Sequence, residues 1–289
     1  MKEFKAAVIN DLQVPYNDPD AVDVAAQIIR DHKVDVLDLN GDIFDFFNLS
    51  AHPNVKTDLN EHTATEFQGE IDRGVRLVKK FVDEVKPKRV HWKNGNHEFR
   101  LLRAIANADI ATKRILELKV VRDAYSYPSL FKFDELGVPV VFAGEYPKGL
   151  WLHPDLPADK NVWVEHGYVA RKKSGFTASA LLEERMSNAI CGHCERLAYL
   201  WRHVNGDRNF FAIENGNLSM LGVPGIGDGV YFGVPLSEPD YRNSQQGLTL
   251  LTHTNGEWFP EVIRIVKGKA FHGGRLYESR VSKKRKNDV

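Results

Sequence analysis

Short apolar runs that each end in a cluster of polar side chains constrain the fold more than any other feature of the sequence. Apolar residues at three- and four-residue spacing, the period of an amphipathic helix, recur between these runs at 21–29, 71–85 and 101–118. The alternation of strand, loop and helix predicts an α/β fold. Ligands of such folds bind beyond the carboxyl ends of the strands, where the polar clusters lie. The apolar runs are residues 6–9, 34–39, 89–92, 162–164 and 189–191.

The part of the chain after residue 205 has the pattern of strands joined by turns. Strand-like runs occur at 210–213, 248–251 and 262–266, and Thr254-Asn255-Gly256 is typical of a hairpin turn. We expect this part to complete a second sheet. The residues at 222–241, rich in Gly and Pro, predict a long loop at the border of a substrate cleft.

The length and the continuous run of these patterns predict one domain. An α/β chain of 289 residues can fold as a single unit. We assign residues 1–275 to it, with the core motifs in 5–200 and the sheet-completing part in 206–275. The basic residues that follow, 276–289, predict a solvated, flexible tail, with contact to nucleic acid as the alternative.

The charge and cysteine content exclude several classes of protein. The 39 Lys and Arg balance the 39 Asp and Glu, so nothing global attracts nucleic acid or an anionic membrane, and attraction for a phosphate must be local. No apolar run approaches the roughly 18 residues of a membrane helix, and the first residues lack a signal-peptide core. The 2 cysteines leave no disulfide framework. We therefore expect a cytoplasmic protein with no membrane partner.

The polar clusters consist of hard and borderline metal ligands. Glycines at positions 41, 95, 167 and 192 remove a Cβ where the backbone must approach an ion or a substrate. Extended residues two apart project to the same side, so Asp11 with Gln13, and His193 with Glu195, are each expected to face one site. The clusters are Asp11-Leu12-Gln13, Gly41-Asp42 with Asp45, Gly95-Asn96-His97-Glu98, His166-Gly167 and Gly192-His193-Cys194-Glu195.

Taken in order, these clusters resemble the motifs of the calcineurin-like metallophosphoesterases, D-x-H, G-D-x-x-D, G-N-H-[DE], H and G-H-x-H. The resemblance covers residues 5–200, and within the family the chain looks most like a phage and bacterial branch. That branch carries D-x-Q-x-P-Y, matched by Asp11 to Tyr16, and an H-G segment followed by R-x-x-S-G-x-[ST]-A, matched by His166-Gly167 and Arg171 to Ala178. The resemblance implies a two-sheet αββα sandwich with two divalent metal ions at the strand ends.

The resemblance also implies a role for each matched residue. Asp42 would bridge both ions. His97 would face the leaving-group oxygen as the general acid, and Asp45 would orient it by accepting its other ring N–H, since a carboxylate partner favours the charged imidazolium. A hydroxide held between the ions would attack phosphorus in line. The remaining ligands would be Asp11, Gln13 and Glu195 for the first ion, and Asn96, His166 and His193 for the second.

Two residues depart from the family pattern. Gln13 replaces the His of D-x-H, and Glu195 replaces the last His of G-H-x-H. The first ion would then have almost only oxygen ligands, which favours Mn²⁺ or Mg²⁺ over Zn²⁺ or Cu²⁺, with Fe as a further candidate. The added negative charge also makes bound water less acidic. We expect a weakly bound first ion and a higher pH optimum, or the loss of catalysis.

The resulting prediction is a metal-dependent phosphohydrolase that cleaves a phosphodiester in a nucleic acid or a nucleotide. It would act as a nuclease or phosphodiesterase in a bacterial or phage-infected cell. Two alternatives stay open: a phosphomonoesterase, including a phosphoprotein phosphatase, and a non-catalytic module that binds phosphate or nucleic acid. Arg171 and Arg196 are candidates to bind the substrate phosphate, ahead of Arg100 and Arg103.

Other residues near these motifs have simpler interpretations. Cys191 and Cys194 have the spacing of a redox or zinc motif, but the sequence contains no second pair of cysteines. Glu98 is expected to interact favourably with the dipole at the start of a helix. His52 and His62 are expected in loops or at the surface.

Overall fold

The computed structural model describes residues 3–46, 49, 67–144, 146–171, 173–204, 208–221, 230–231, 234–235 and 244–287. Within these residues the chain forms one sheet of six strands and one of five, together with two-stranded ribbons. The strands are β1 Phe4–Ile9, β2 Val36–Asn40, β3 Arg89–Lys93, β4 Val140–Phe142, β5 Leu150–Trp151, β6 Val162–Glu165, β7 Asn188–Cys191, β8 Leu197–Val204, β9 Arg208–Asn215, β10 Val230–Tyr231, β11 Val234–Pro235, β12 Gly247–Thr254, β13 Glu257–Arg264, β14 Lys269–His272 and β15 Arg275–Glu278.

The strand order brings the predicted polar clusters to the edges of two parallel groups. The six-stranded sheet has the order β13-β12-β1-β2-β3-β4, and its strands β1 to β4 are parallel. The five-stranded sheet has the order β5-β6-β7-β9-β8, in which β6, β7 and β9 are parallel. Loops that follow β1, β2 and β3 therefore leave from one sheet edge, and those that follow β6 and β7 leave from one edge of the other sheet.

The helices cover both sheets and the connections between strands. Helix α1 begins after Asp18, whose side chain accepts the backbone N–H of Asp20 and Ala21 and so caps the helix. Short 3-10 helices occur at Phe133–Leu136 and Ala158–Lys160. The α-helices are α1 Pro19–His32, α2 Phe67–Val85, α3 Phe99–Ala106, α4 Ile110–Leu116, α5 Lys119–Ala124, α6 Tyr127–Leu130, α7 Phe176–Arg185 and α8 Arg280–Asn287.

Apolar side chains fill three layers of a sandwich. Between the sheets, Val8 of β1 packs in one cluster with Ile190 of β7 and Phe211 of β9. Helices α1 and α2 pack on the outer face of the six-stranded sheet, where Ile28 is fully buried. Helix α7 contributes Leu182 to a cluster on the outer face of the five-stranded sheet. The predicted α/β fold with a two-sheet αββα sandwich is confirmed by this arrangement.

The helical pattern predicted at 101–118 corresponds to two helices in the structure, α3 and α4, with a break between them. The side chain of Asp109 accepts the backbone N–H of Thr112 at 3.0 Å and its hydroxyl at 2.6 Å. An N-cap of this kind begins a new helix and competes with continuation of the preceding one. The apolar spacing continues across the break, so periodicity alone predicts a single element.

The C-terminal part of the chain contributes to both sheets. Strand β9 joins the five-stranded sheet as expected, whereas β12 and β13 extend the six-stranded sheet, which corrects the expectation that this part completes the second sheet. The predicted hairpin turn is confirmed. Thr254 pairs with Glu257, and Asn255 and Gly256 between them have φ of 53° and 87°. Both angles are those of the hairpin turn that Asn-Gly favours.

Within the segment predicted as a flexible tail, the described residues form β15 and α8. Arg280 at the start of α8 donates to Asp23 at 2.5 Å and to Glu84 at 2.7 Å, which ties this helix to α1 and α2. The single-domain assignment stays a prediction. The loop predicted at 222–241 lies outside the described residues except for β10 and β11, and His52 and His62 also lie outside them.

None of the helices in the described part of the chain combines the length and the apolar composition needed to cross a bilayer.

Candidate metal centre

Three side chains from different loops converge where the two sheets meet. Asp42 follows β2, His166 follows β6 and His193 follows β7, and one ligand atom of each lies within 4.8 Å of the others. His166 Nε2 is 3.1 Å from Asp42 Oδ2 and 3.1 Å from the side-chain oxygen of Asn96. One carboxylate, two imidazoles and an amide oxygen form a donor set that suits a divalent transition metal ion.

The backbone of β2 fixes the orientation of the His166 ring. Its Nδ1 lies 2.8 Å from the carbonyl oxygen of Asn40, which fixes Nδ1 as the protonated nitrogen of the neutral ring and leaves Nε2 to face the cluster. A Cβ at Gly41 would lie 2.7 Å from this ring. The glycine therefore provides the space that the histidine occupies.

The pKa values of the clustered side chains differ from those of the same side chains in water. Burial disfavours the charged form of Asp42, but His166 and His97 outweigh it and hold the pKa of the carboxyl well below its usual range. Burial also disfavours a charged His166, yet Asp42 and Asp11 raise its pKa to about 10. Burial and the neighbouring His166 lower the pKa of His193 to about 4. A neutral imidazole such as His193 can ligate a metal ion directly, whereas a protonated one such as His166 would first have to release its proton.

Several candidate ligands have a left-handed backbone, which sequence reasoning did not predict. The premise that Asp11 with Gln13, and His193 with Glu195, are extended is wrong, since each has a φ between 49° and 62°. Asp42 has a φ of 49° as well. Non-glycine residues in this region are strained, and such strain is concentrated at functional sites. The left-handed backbone turns these side chains toward the centre. Their common direction therefore comes from tight loops and not from the alternating side chains of an extended strand.

Asp11, Gln13 and Glu195 form a second, oxygen-rich group next to the first. Asp11 Oδ2 accepts the backbone N–H of His193 at 3.1 Å, while its buried Oδ1 has no hydrogen-bond partner. Gln13 donates its amide to Glu195 Oε1 at 3.0 Å. Burial raises the pKa of both Asp11 and Glu195. A buried carboxylate oxygen without a donor is an atom that a cation would satisfy, so Asp11 fits the predicted role.

His97 lies at the edge of the centre between two carboxylates. Its Nδ1 is 3.3 Å from Asp45 Oδ1 and its Nε2 is 3.8 Å from Asp42 Oδ2. Burial opposes protonation of this ring, but Asp42 and Asp45 outweigh it and raise its pKa to about 9. Arg100, ranked low as a site residue from the sequence, lies 3.1 Å from His97 Nε2 and donates to the backbone and side-chain oxygens of Asp45.

Glu98 has a role that sequence reasoning missed. It lies at the start of α3, where an interaction with the helix dipole is expected, but its side chain makes no capping hydrogen bond to that helix. Instead Oε2 accepts the backbone N–H of Asp42 at 3.0 Å and of Gly95 at 2.7 Å, and Oε1 accepts that of Phe44 at 2.9 Å. The carboxylate is fully buried. It therefore fixes two of the loops that present the candidate ligands to each other.

The two arginines predicted to bind substrate have different surroundings. Arg171 is exposed and lines a cavity of about 90 Å³ beside the centre, together with residues of β6, α7 and β7. Arg196 is buried, with its Nε 3.6 Å from Glu214 and its guanidinium donating to the carbonyl oxygen of Arg171. Arg171 is thus placed at a surface, and Arg196 below it. Substrate binding by either residue stays a prediction.

Cys191 and Cys194 are both free and buried. Cys191 is on β7 and contacts the carbonyl oxygen of Ile213, while Cys194 contacts that of Val169. The cluster of candidate metal ligands found among the described residues contains neither thiol.

Comparisons with known proteins give similarity in structure alone. No family model matches the sequence, and no curated protein matches it. Vacuolar protein sorting 29 of Cryptosporidium parvum is 12% identical, with 96% of this chain and 99% of that chain covered and a TM-score of 0.46. Vps29 of Entamoeba histolytica complexed with Zn²⁺ is 12% identical, with 95% and 99% covered and a TM-score of 0.42. A dimetal phosphatase of Danio rerio is 12% identical, with 90% and 96% covered and a TM-score of 0.39. The evidence for the fold and for the candidate metal centre is this chain's own strand order and contacts.

Proposed function

We propose that this chain is a divalent-metal-dependent phosphohydrolase of the calcineurin-like metallophosphoesterase type. The convergence of Asp42, His166 and His193 within 4.8 Å is the observation that carries the proposal. When bound there, an ion would polarise a phosphoryl oxygen and lower the pKa of a coordinated water. Asn96 would add an oxygen ligand, since its side chain lies 3.1 Å from His166.

The chain's own residues would supply the proton for the leaving group. His97 lies beside the cluster, and its raised pKa of about 9 keeps the ring protonated at neutral pH. A protonated imidazole near the metal ligands is suited to donate to a departing alkoxide. Asp45, 3.3 Å from Nδ1, would hold the ring with Nε2 toward the centre. Arg100 would position Asp45 through its two contacts.

The metal would be Mn²⁺, with Mg²⁺ or Fe as alternatives. Asp11, Gln13 and Glu195 would serve a first ion, and the histidine-containing cluster a second. The free buried oxygen of Asp11 and the carboxylate of Glu195 support an oxygen-preferring ion in that half. We propose a phosphodiester in nucleic acid or a nucleotide as the substrate, with Arg171 and Arg196 near its phosphate, in a bacterial or phage-infected cytoplasm.

A metal-removal experiment tests the proposal. Protein treated with a chelator is assayed with an aryl phosphodiester and an aryl phosphomonoester before and after Mn²⁺ is added back. We expect hydrolysis of the diester to depend on Mn²⁺ and to be lost in Asp42→Asn. His97→Asn should lower kcat by about 10²- to 10⁴-fold. Substitution of His203→Asn, an exposed histidine on β8, serves as the matched control and should have no effect.

Each other result selects a different function. Hydrolysis that is insensitive to the chelator and to Asp42→Asn would refute metal-dependent catalysis at this centre. Activity on the monoester alone would identify a phosphomonoesterase. A protein that binds the phosphoester without turnover, and keeps that affinity in His97→Asn, would be a binding module.

A further inference from the structure

Two side chains from different helices hold the peptide unit between Asp45 and Phe46. Its carbonyl oxygen, which belongs to Asp45, accepts a guanidinium N–H of Arg100 on α3 at 2.8 Å. Its N–H, which belongs to Phe46, donates to Oε1 of Glu70 on α2 at 2.5 Å. Arg100 also donates to the carboxylate of Asp45 at 3.1 Å. Both sides of the peptide that follows the proposed partner of His97 are therefore fixed by side chains.

The backbone at Phe46 explains why this peptide needs such contacts. Phe46 has a φ of 51°, and its side chain is fully buried. A left-handed backbone is a genuine outlier for a bulky aromatic residue, and it persists only where the surroundings hold it. Rotation of the peptide would relieve this strain, but it would also turn the Asp45 carbonyl away from Arg100. The acceptor on Glu70 opposes that rotation.

The Glu70 side chain is buried close to the proposed general acid. Burial raises its pKa to about 8 and Asp45 adds to the rise, while the Phe46 N–H, Arg100 and His97 oppose it. A carboxyl group with this pKa is largely protonated at neutral pH, and its carbonyl oxygen remains a hydrogen-bond acceptor. Glutamine keeps such an acceptor without a charge, whereas alanine removes it.

We infer that Glu70 is a positioning residue for the proposed general acid, because its acceptor holds Asp45 in contact with the His97 ring. The inference rests on the proposed function and adds a residue of α2 to the parts that orient His97. His97 Nδ1 lies 3.3 Å from Asp45 Oδ1, so a small displacement of Asp45 is enough to lose this contact. Sequence reasoning has no signal for the role, since Glu70 lies in none of the motifs and 24 residues from Phe46.

Loss of the acceptor has two consequences that a general loss of stability does not have. Glu70→Ala should lower the pKa of His97 from about 9, because Asp45 is one of the carboxylates that raise it. It should also lower kcat by about tenfold or more for a diester whose alkoxide must be protonated, since general acid catalysis contributes about 10²- to 10⁴-fold. A nitrophenolate departs without a proton, so kcat for its release should change by less than about threefold.

An NMR titration and a comparison of leaving groups test the inference in the whole protein. The pKa of His97 is measured in metal-free protein, and hydrolysis of an alkyl and a p-nitrophenyl phosphodiester is measured with Mn²⁺. We expect Glu70→Ala to lower the pKa and the kcat for the alkyl diester, and Glu70→Gln to keep both near the wild-type values. Val78→Ala, at a buried apolar position of the same helix, is the matched control. It should lower stability while the pKa of His97 and the ratio of the two kcat values stay unchanged.

Different results separate the inference from the proposed function. A wild-type pKa of His97 in Glu70→Ala would overturn the inference, and so would equal losses of kcat for the two diesters or a glutamine variant as damaging as alanine. If the alanine variant does not fold, Glu70→Asp withdraws the acceptor by one methylene and should lower the pKa as well, and an unchanged pKa there would overturn the inference. Absence of hydrolysis by the wild type would refute the proposed function, and the NMR titration alone would then decide whether Glu70 positions Asp45 against His97.

Discussion

Glu98 provides the sharpest test of how the centre is held together. Its carboxylate is 0% exposed and accepts three backbone N–H groups, two from the loop after β2 and one from the loop after β3. Replacing it by alanine would leave these three donors without an acceptor in a buried environment. One of the donors belongs to Asp42, whose strained backbone and ligand position depend on this contact.

The size of the effect follows from the number of bonds that each substitution removes. A buried donor left without a partner costs about 1–3 kcal/mol, and these costs are not additive. Glu98→Ala should therefore lower the free energy of unfolding by about 3–6 kcal/mol, because three donors lose their acceptor. Glu98→Gln can keep an oxygen for Asp42 and Gly95, but it turns an amide NH₂ toward Phe44, so we expect about 1–3 kcal/mol.

Urea unfolding followed by fluorescence and by circular dichroism measures these differences. Glu117→Ala, at an exposed position that pairs with Arg114, is the matched control and should behave like the wild type. Mn²⁺ affinity should fall in the same order as stability, with alanine below glutamine. If Glu98→Ala costs no more than Glu117→Ala, or if glutamine is as damaging as alanine, the three hydrogen bonds do not hold the loops as described.

Three further perturbations test neighbouring parts of the site. In metal-free protein, the His97 ring should titrate near pH 9 by NMR, and Asp45→Asn should lower that pKa. Because the pKa is raised in the folded state, the charged ring stabilises the fold fully below its unfolded pKa. This stabilisation is lost as the pH rises through about 9. Gly95→Ala should abolish Mn²⁺ binding in calorimetry, because its Cβ would lie 2.0 Å from Asp42 Oδ1. Arg196→Ala should lower the free energy of unfolding in urea by about 1–3 kcal/mol, because it removes the hydrogen bond to the Arg171 carbonyl and the cation beside Glu214, whose carboxylate keeps three backbone N–H donors.

The strands could be predicted from the spacing of apolar residues along the chain. The convergence of the loops that carry the candidate ligands could be predicted from the parallel order of the strands. Buried parallel strands appear in sequence as short apolar runs, and their carboxyl ends necessarily lie at one edge. The same reasoning places Asp42 after β2, and His166 and His193 after β6 and β7, as the structure has them. The assignment of β12 and β13 to the six-stranded sheet could not be predicted in this way, because local pattern does not specify which edge an antiparallel hairpin joins.

Features set by contacts distant in sequence stayed beyond prediction. Glu98 is next to the centre in sequence, yet its acceptor role depends on the N–H of Phe44, which is 54 residues away. Ser244 reaches Glu195 across 49 residues. The left-handed backbone of Asp11 and Asp42 has no local signal either, because aspartate adopts this conformation only where the surroundings compensate the strain.

The burial of so many carboxylates around one point is itself an argument for a cation. Asp11, Asp42 and Glu98 are each at most 1% exposed, and the pKa values of Asp11 and Glu98 are raised by burial. Isolated buried charges are strongly unfavourable unless they are paired, hydrogen-bonded or bound to metal. The three N–H donors satisfy Glu98, and His166 offsets Asp42, but Asp11 keeps an oxygen that no donor reaches. A divalent ion bound beside Asp42 and the two histidines would give this oxygen a positively charged partner and so favour the ionised form of Asp11.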